Sequence, residues 1–379
     1  MNRSVYITDY ALVTGLGCGV DTVWQRLLAG ESSIRAVDHF NTTNYLAKSA
    51  ALVPDLPHRE GESRLYPLLE QLLEQLDCVP QDAQLITATT KGAIDLLERD
   101  CFEHGHVVEA DAVVPSAMTH WLARQLDIDA RGTNINAACA SSTLAIGRAA
   151  AMIAHGAAEV VVVCCADIVS EFVLSGFSAL QALSDQPSRP FDRDRNGLTL
   201  GEGAAAVVMM SDDAAQRYHR VKHAEVCGWG AANDANHITA PARDGCGLIQ
   251  TVEQTLKRAD VSADDVSAIS AHGTGTVYND MMELTAFKAI FGERLLPISS
   301  IKGALGHTLG AAGGIEAVLA IASLNDQLVP PTCGVVNPEE LAIGQVSASA
   351  QPFNGELLLS TNSGFGGVNA ALLIRRGQQ

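Results

Sequence analysis

The 379-residue chain carries 43 acidic against 25 basic side chains, a net charge of −18, and 47% of its residues are apolar. The negative charge argues against a nucleic-acid partner, because phosphate binding relies on lysine and arginine, and the apolar content and length describe a packed globular protein with a large core. No apolar run reaches the roughly 20 residues of a membrane-spanning helix.

The residue pattern reads as alternating β and α segments. Met1-Asn2-Arg3-Ser4 runs directly into a strand over Val5–Val13, with no signal-peptide pattern, so a cytoplasmic protein is expected. A turn at Thr14-Gly15-Leu16-Gly17 leads to a short helix over Thr22–Leu28 that Gly30 closes. Residues 48–64 are polar, hold Pro54 and Pro57, and read as a surface excursion. Leucines 65, 68, 69, 72, 73 and 76 stand at helical spacing and predict a helix with one buried face. A strand over Leu85–Thr89 and a helix over Gly92–Arg99 come next.

From Ile135 the pattern sharpens. A short strand-like run leads into Cys139, followed by an Ala-rich helix over Ser142–Ala154 that stops at Gly156. Val160–Cys165 is wholly apolar, as in a strand buried on both faces. Gly201-Glu202-Gly203 feeds a further apolar strand, Ala204–Met210. The second half repeats this grammar: strand Val221–Gly228, helix Gly247–Ala259, strand Val266–Ser270, helix Met281–Phe291 and strand Pro297–Ser300. It ends with a second Ala-rich helix, Ala311–Asn325, and the strands Leu357–Thr361 and Ala370–Arg375. The parallel suggests an internal duplication with a boundary near residue 215, giving halves 1–215 and 216–379 that share one core. By pattern alone, two merely similar α/β halves remain an equal alternative.

Nine cysteines without regular spacing do not form a disulfide framework, and none stands at metal-ligand spacing, so no metal is expected. Three segments set a reactive side chain among glycines and small residues: Ala137-Ala138-Cys139-Ala140-Ser141-Ser142, Ala271-His272-Gly273-Thr274-Gly275-Thr276, and Lys302-Gly303-Ala304-Leu305-Gly306-His307. A thiol at a helix start is biased toward thiolate, which suits reversible acyl loading. Taken alone, that context leaves a nucleophile and a buried structural cysteine equally open. His272 and His307 at strand-to-helix corners would handle charge on a second thioester. A positive helix end beside His307 would keep its ring neutral and able to donate to an enolate. Lys302 and Glu316 read from the residues alone as a surface salt bridge. Gly364-Phe365-Gly366-Gly367 offers free amides beside a bulky ring, suited to an oxyanion hole and a gate.

Together these segments resemble a β-ketoacyl-[acyl-carrier-protein] synthase of the elongating (type I/II) group, within the thiolase superfamily. The likeness runs from Thr14-Gly15-Leu16-Gly17 through Arg189-Pro190-Phe191-Asp192, Gly201-Glu202-Gly203 and Asn233-Asp234-Ala235-Asn236-His237-Ile238-Thr239 to Gly364-Phe365-Gly366-Gly367. The Cys–His–His set separates it from Cys–His–Asn initiating ketosynthases and from thiolases, which use a second cysteine.

The resemblance implies a duplicated, five-layered αβαβα fold that dimerises through the first half, with an identical chain or a chain-length-factor-like subunit. It implies decarboxylative condensation of malonyl-ACP with an acyl chain held on Cys139, extending a fatty-acid or polyketide chain by two carbons. His272 and His307 would support decarboxylation, and Lys302 and Glu316 would supply charge. Amides of Cys139 and Phe365 would form the oxyanion hole, the Phe365-Gly366 loop gating together with Thr239, while Thr274 and Thr276 hold phosphopantetheine. No resident cofactor is implied, since phosphopantetheine arrives on the carrier protein. Arg195, Arg59, Arg64, Arg124 and Arg131 are the implied docking residues for that acidic partner. Val277 stands where the family has proline and Asn196 where it has aspartate. The short region before Cys139 and the Thr89-Thr90-Lys91-Gly92 segment resemble ketosynthases of specialised polyene or aryl-polyene clusters. A non-catalytic, chain-length-shaping partner subunit is the alternative, and intact Cys139, His272 and His307 argue against it.

Overall fold

The computed structural model describes residues 3–57, 59–129 and 131–377. Ten strands form one continuous path. In chain order they are β1 (Val5–Thr14), β2 (Gln84–Ala88), β3 (Thr133–Ile135), β4 (Val160–Asp167), β5 (Gly203–Ser211), β6 (Ala224–Asn233), β7 (Ala268–Ser270), β8 (Ile298–Ser299), β9 (Leu357–Gly364) and β10 (Val368–Arg376). In space the order is β8-β7-β9-β10-β6-β1-β5-β4-β2-β3, with the two-residue strand Gly17–Cys18 hairpinned onto β1.

That order contains the duplication. The first five strands run β3-β2-β4-β5-β1 and the last five run β8-β7-β9-β10-β6, the same arrangement shifted by five. Pairing directions repeat as well: β2 is parallel to β3 and β4, as β7 is to β8 and β9, and the remaining pairs within each half are antiparallel. The halves join where β1 meets β6 over only Tyr6↔Glu225 and Ile7↔Ala224.

The layers follow from which face of each strand is apolar. On β4 every residue is buried. Val161 and Val163 point inward, to a core shared with the helices Ser141–Ala154 and Ala312–Asp326, while Val160 and Val162 point outward, to leucines 65, 68, 69 and 72. In the second half, Leu357 and Leu359 face the outer helix Cys246–Ala259, and Leu358 and Leu372 face the middle. Helix, sheet, helices, sheet, helix is the five-layered αβαβα arrangement. The two middle helices must be Ala- and Gly-rich to fit between the two halves of the sheet. A Cβ on Gly313 would stand 1.9 Å from Thr143 Oγ1, and one on Gly314 would stand 2.2 Å from Cys165 Sγ.

One sequence expectation needs correction, and two helices go unmarked in the sequence. The stretch 48–64 is not wholly a surface excursion: Ser49–Ala51 is a strand parallel to Leu200–Gly201, and residues Ala50 to Val53 are buried. The helices Pro115–Gln125 and Glu171–Ala179 carry weak apolar periodicity, so the residue pattern does not mark them. Among the described residues no helix is long and apolar enough to cross a membrane.

Candidate active site

The repeated topology delivers the reactive residues to one place. Cys139 follows β3 and His307 follows β8, the third strand of each half, and each precedes a middle helix; His272 follows β7. Ala138 takes a left-handed φ of 50° and makes the corner that presents Cys139. Ser141 locks that corner: its hydroxyl donates to the Ala138 carbonyl at 2.6 Å and accepts from the Ala137 amide at 2.9 Å. Gly364, at the end of β9, passes so close behind that a Cβ there would lie 3.1 Å from the Cys139 nitrogen.

The ligating atoms of Cys139, His272 and His307 all lie within 4.8 Å of one another, and the three side chains are buried. The imidazole rings meet edge to face, with centroids 5.2 Å apart. His307 Nε2 stands 2.9 Å from Cys139 Sγ. Its Nδ1 accepts the Leu309 amide hydrogen at 3.2 Å, which leaves the ring proton on Nε2.

Asn362 fixes His272 in the same way. Its amide nitrogen donates to Glu316 Oε2 at 2.7 Å and faces His272 Nδ1 at 3.2 Å, while its oxygen accepts from the Thr143 hydroxyl. His272 Nδ1 is therefore an acceptor and Nε2 carries hydrogen. Both rings aim an N–H into the same small volume. A transition metal could bridge three such donors by distance, but both Nε2 atoms are protonated and a buried ammonium stands nearby, which oppose a cation.

That ammonium is Lys302. It pairs with Glu316, and both are 1% exposed, so the surface salt bridge read from the residues is in fact fully buried. Burial, then the Lys302 charge, holds both histidines well below the usual imidazole pKa. Neutrality of His307 thus has a stronger source than the helix end proposed from sequence. Burial also pushes the Cys139 thiol up to about 11, against the opposing pull of Lys302 and of the Phe365 amide. The helix start is present, but desolvation outweighs it, so the resting group is a thiol.

A cavity of about 460 Å³ opens above the trio, lined among others by Thr239, Thr274, Thr276, Phe177 and Phe365. Phe365 stacks on Phe177 at 5.7 Å. The Gly366 amide donates to the Ile238 carbonyl at 2.7 Å, and the Gly366 carbonyl accepts from Asn233. Gly366 therefore does not offer its amide to an oxyanion; it ties the Phe365 loop to the loop carrying Thr239. Thr274 and Thr276 share a hydroxyl hydrogen bond of 2.9 Å on the cavity wall.

Sequence reasoning missed the carboxylates beneath this wall. Glu283 accepts the amide hydrogens of His272 and Gly273 at 2.7 and 2.6 Å, and Asp280 accepts those of Thr274 and Gly275. Both lie on the helix Val277–Phe291, one turn apart, and their role as acceptors for the loop shows only once the loop folds back over the helix start. Asp167 is a further buried brace. It accepts from Thr89, Thr90 and Gly310, joining the segment after β2 to the segment after His307.

The docking arginines divide. Arg195 is 5% exposed and spends its guanidinium on Glu339, Asp280 and the carbonyls of Asp192, Thr276 and Val277, so it is a structural clamp and not a docking residue. Arg64 bonds the fully buried Glu202 at 2.6 Å and is likewise internal in purpose. Arg59 is exposed but paired with Glu62 and Glu70. Arg124 and Arg131 are exposed near the edge strand β3.

Comparison with known proteins places the chain in a family. Residues 86–215 match the beta-ketoacyl synthase N-terminal domain and residues 223–336 match the beta-ketoacyl synthase C-terminal domain. The chain belongs to the β-ketoacyl synthase family. It is 34% identical to 3-oxoacyl-[acyl-carrier-protein] synthase 2 of Vibrio cholerae serotype O1 and 34% identical to that of Rhizobium meliloti, across 99% of each chain in both cases. Similar solved structures include the ishigamide ketosynthase/chain length factor, with a TM-score of 0.90 and 27% identity over the whole of both chains. Another is a chain of the complex between the ketosynthase ApeO and its chain length factor ApeC from Xenorhabdus doucetiae, with a TM-score of 0.85 and 28% identity over 99% of this chain and 98% of that one. As a member of this family the chain is an acyltransferase of the ketosynthase type.

Proposed function

We propose that the chain extends an acyl thioester by two carbons through decarboxylative condensation, with Cys139 as nucleophile. The observation that carries this reading is the pair of neutral imidazoles whose Nε2–H groups converge beside the thiol. In the first half-reaction Cys139 Sγ attacks the thioester carbonyl of the incoming acyl group. The new S–C bond forms as the carrier's sulfur leaves, and the thiol proton ends on that sulfur. The Phe365 and Cys139 amides stabilise the transient oxyanion.

A malonyl thioester then enters the cavity, its carbonyl oxygen toward the two Nε2–H donors. Its carboxylate leaves as carbon dioxide, and the C–C bonding pair becomes an enolate that the donors stabilise. The enolate carbon attacks the acyl-Cys139 carbonyl, the S–C bond breaks, and Cys139 leaves as a thiolate that takes up a proton from water to regain its resting thiol, with a 3-oxoacyl thioester as product. Thiol exchange and decarboxylation require hydrogen-bond donors and no redox group, so the chemistry calls for no resident cofactor.

The relatives' names put an acyl carrier protein in the partner role, and ApeO's association with a chain length factor favours a ketosynthase-like second subunit, identical or not. A non-catalytic, chain-length-shaping subunit would have no use for the converging donors. The test is to supply an acyl-carrier thioester and malonyl-carrier thioester and to measure carbon dioxide and 3-oxoacyl product. Wild type should give both, and Cys139→Ala should give no condensation product while keeping its fold.

A further inference from the structure

With Arg195 internal, the cavity's own lining residues include no lysine or arginine, and they do include Asp234. A phosphopantetheine arm brings an anionic phosphate to a protein of net charge −18, so its path needs a cation at the rim. The cavity shares a wall, His237, Ala240, Pro241 and Tyr278, with a second depression, and Arg243 lines that depression.

Arg243 is exposed, and its guanidinium carbon stands 5.7 Å from the centroid of the Tyr278 ring. The carboxylate next to it does not claim it: Asp244 accepts the Cys246 amide hydrogen at 3.1 Å. Asp234 holds the loop in place by accepting the Ala242 amide hydrogen at 2.9 Å. Thr274, Thr276, Val277 and Tyr278 line the cavity in sequence, a track from the reactive trio out to the rim where Arg243 stands.

We propose that Arg243, backed by Tyr278, is the binding residue for the phosphate of the carrier's phosphopantetheine arm. This rests on the ketosynthase reading above. A guanidinium presents paired N–H donors that match phosphate oxygens, and stacking on an aromatic face leaves those edges free. The arm's amides then fall along the Thr274–Thr276 wall and its thioester reaches the trio.

The test loads Cys139 from three acyl donors: the carrier protein, free phosphopantetheine, and pantetheine lacking the phosphate. Arg243→Gln should raise KM roughly ten-fold for the first two and leave the third unchanged, the loss of one charge-assisted contact. Arg243→Lys should recover part of the loss. An effect on the carrier protein alone would place Arg243 against the carrier's surface and overturn the phosphate assignment. Equal effects on all three donors, or none on any, would also overturn it. Failure of the wild-type protein to load from any donor would instead count against the ketosynthase reading itself.

Discussion

His307 Nε2 lies 2.9 Å from Cys139 Sγ while His307 Nδ1 accepts a backbone hydrogen from Leu309. The imidazole therefore donates toward sulfur and cannot serve, in this tautomer, as the base that removes the thiol proton. Activation of Cys139 comes from stabilising negative charge on sulfur as it attacks.

The two histidines should separate in a variant experiment. Replacing either by alanine removes a donor to the enolate and should slow malonyl-thioester decarboxylation by about 10²–10³-fold. His307→Ala should also slow acyl loading, because only His307 is bonded to Sγ; His272→Ala should leave loading nearly unchanged. Intact-mass measurement of the acyl-enzyme over time reads the difference, and equal loading defects would contradict it.

The histidines' pKa values set a pH dependence. Burial and Lys302 depress both in the folded protein, whereas the unfolded chain titrates near 6.5. On acidification through 6.5 the unfolded state takes up protons that the folded state refuses. Stability from these residues is thus fully present above 6.5 and is lost as pH falls toward the folded values. Decarboxylation should show no inflection near 6.5, and one there would mean ordinary, solvated imidazoles.

Lys302 and Glu316 are each 1% exposed, so truncating one strands a buried charge. Lys302→Met should cost about 3–5 kcal/mol of stability. The double variant Lys302→Met/Glu316→Gln should regain much of that loss without regaining activity, because Asn362 then loses the carboxylate that orients it toward His272. Urea midpoints and decarboxylation rates together test this.

Arg195→Glu should lower the unfolding midpoint and reduce turnover of carrier-bound and short pantetheine substrates alike. It reverses a buried charge facing Asp280 and Glu339, a loss of about 3–5 kcal/mol by analogy with other broken buried pairs. A KM effect confined to carrier-bound substrate would return Arg195 to a docking role.

What could be read from the residues was local. Cys139, His272 and His307 each stand in a short run whose glycines and small side chains announce a corner, and the β and α segments around them follow from apolar runs and periodicity. The long-range partners were not legible. Asn362 reaches His272 and Thr143 across 90 and 219 positions, and nothing beside it in the chain marks it as an orienting amide. Lys302 and Glu316 read as a surface pair because charge predicts exposure, and only packing between the two halves of the sheet buries them. Arg195 was misplaced for the same reason. A sequence motif gives its neighbourhood but not the direction of its side chain.

In the proposed reaction Cys139 alone carries the growing chain. Incubating the protein with an acyl-carrier thioester, digesting it and mapping the acyl mass increment by tandem mass spectrometry tests this most directly. One stoichiometric adduct is expected, on the peptide containing Cys139, that disappears when malonyl thioester is added and a 3-oxoacyl product forms. An adduct on another of the nine cysteines, or a Cys139 adduct that malonyl thioester does not discharge, would contradict it.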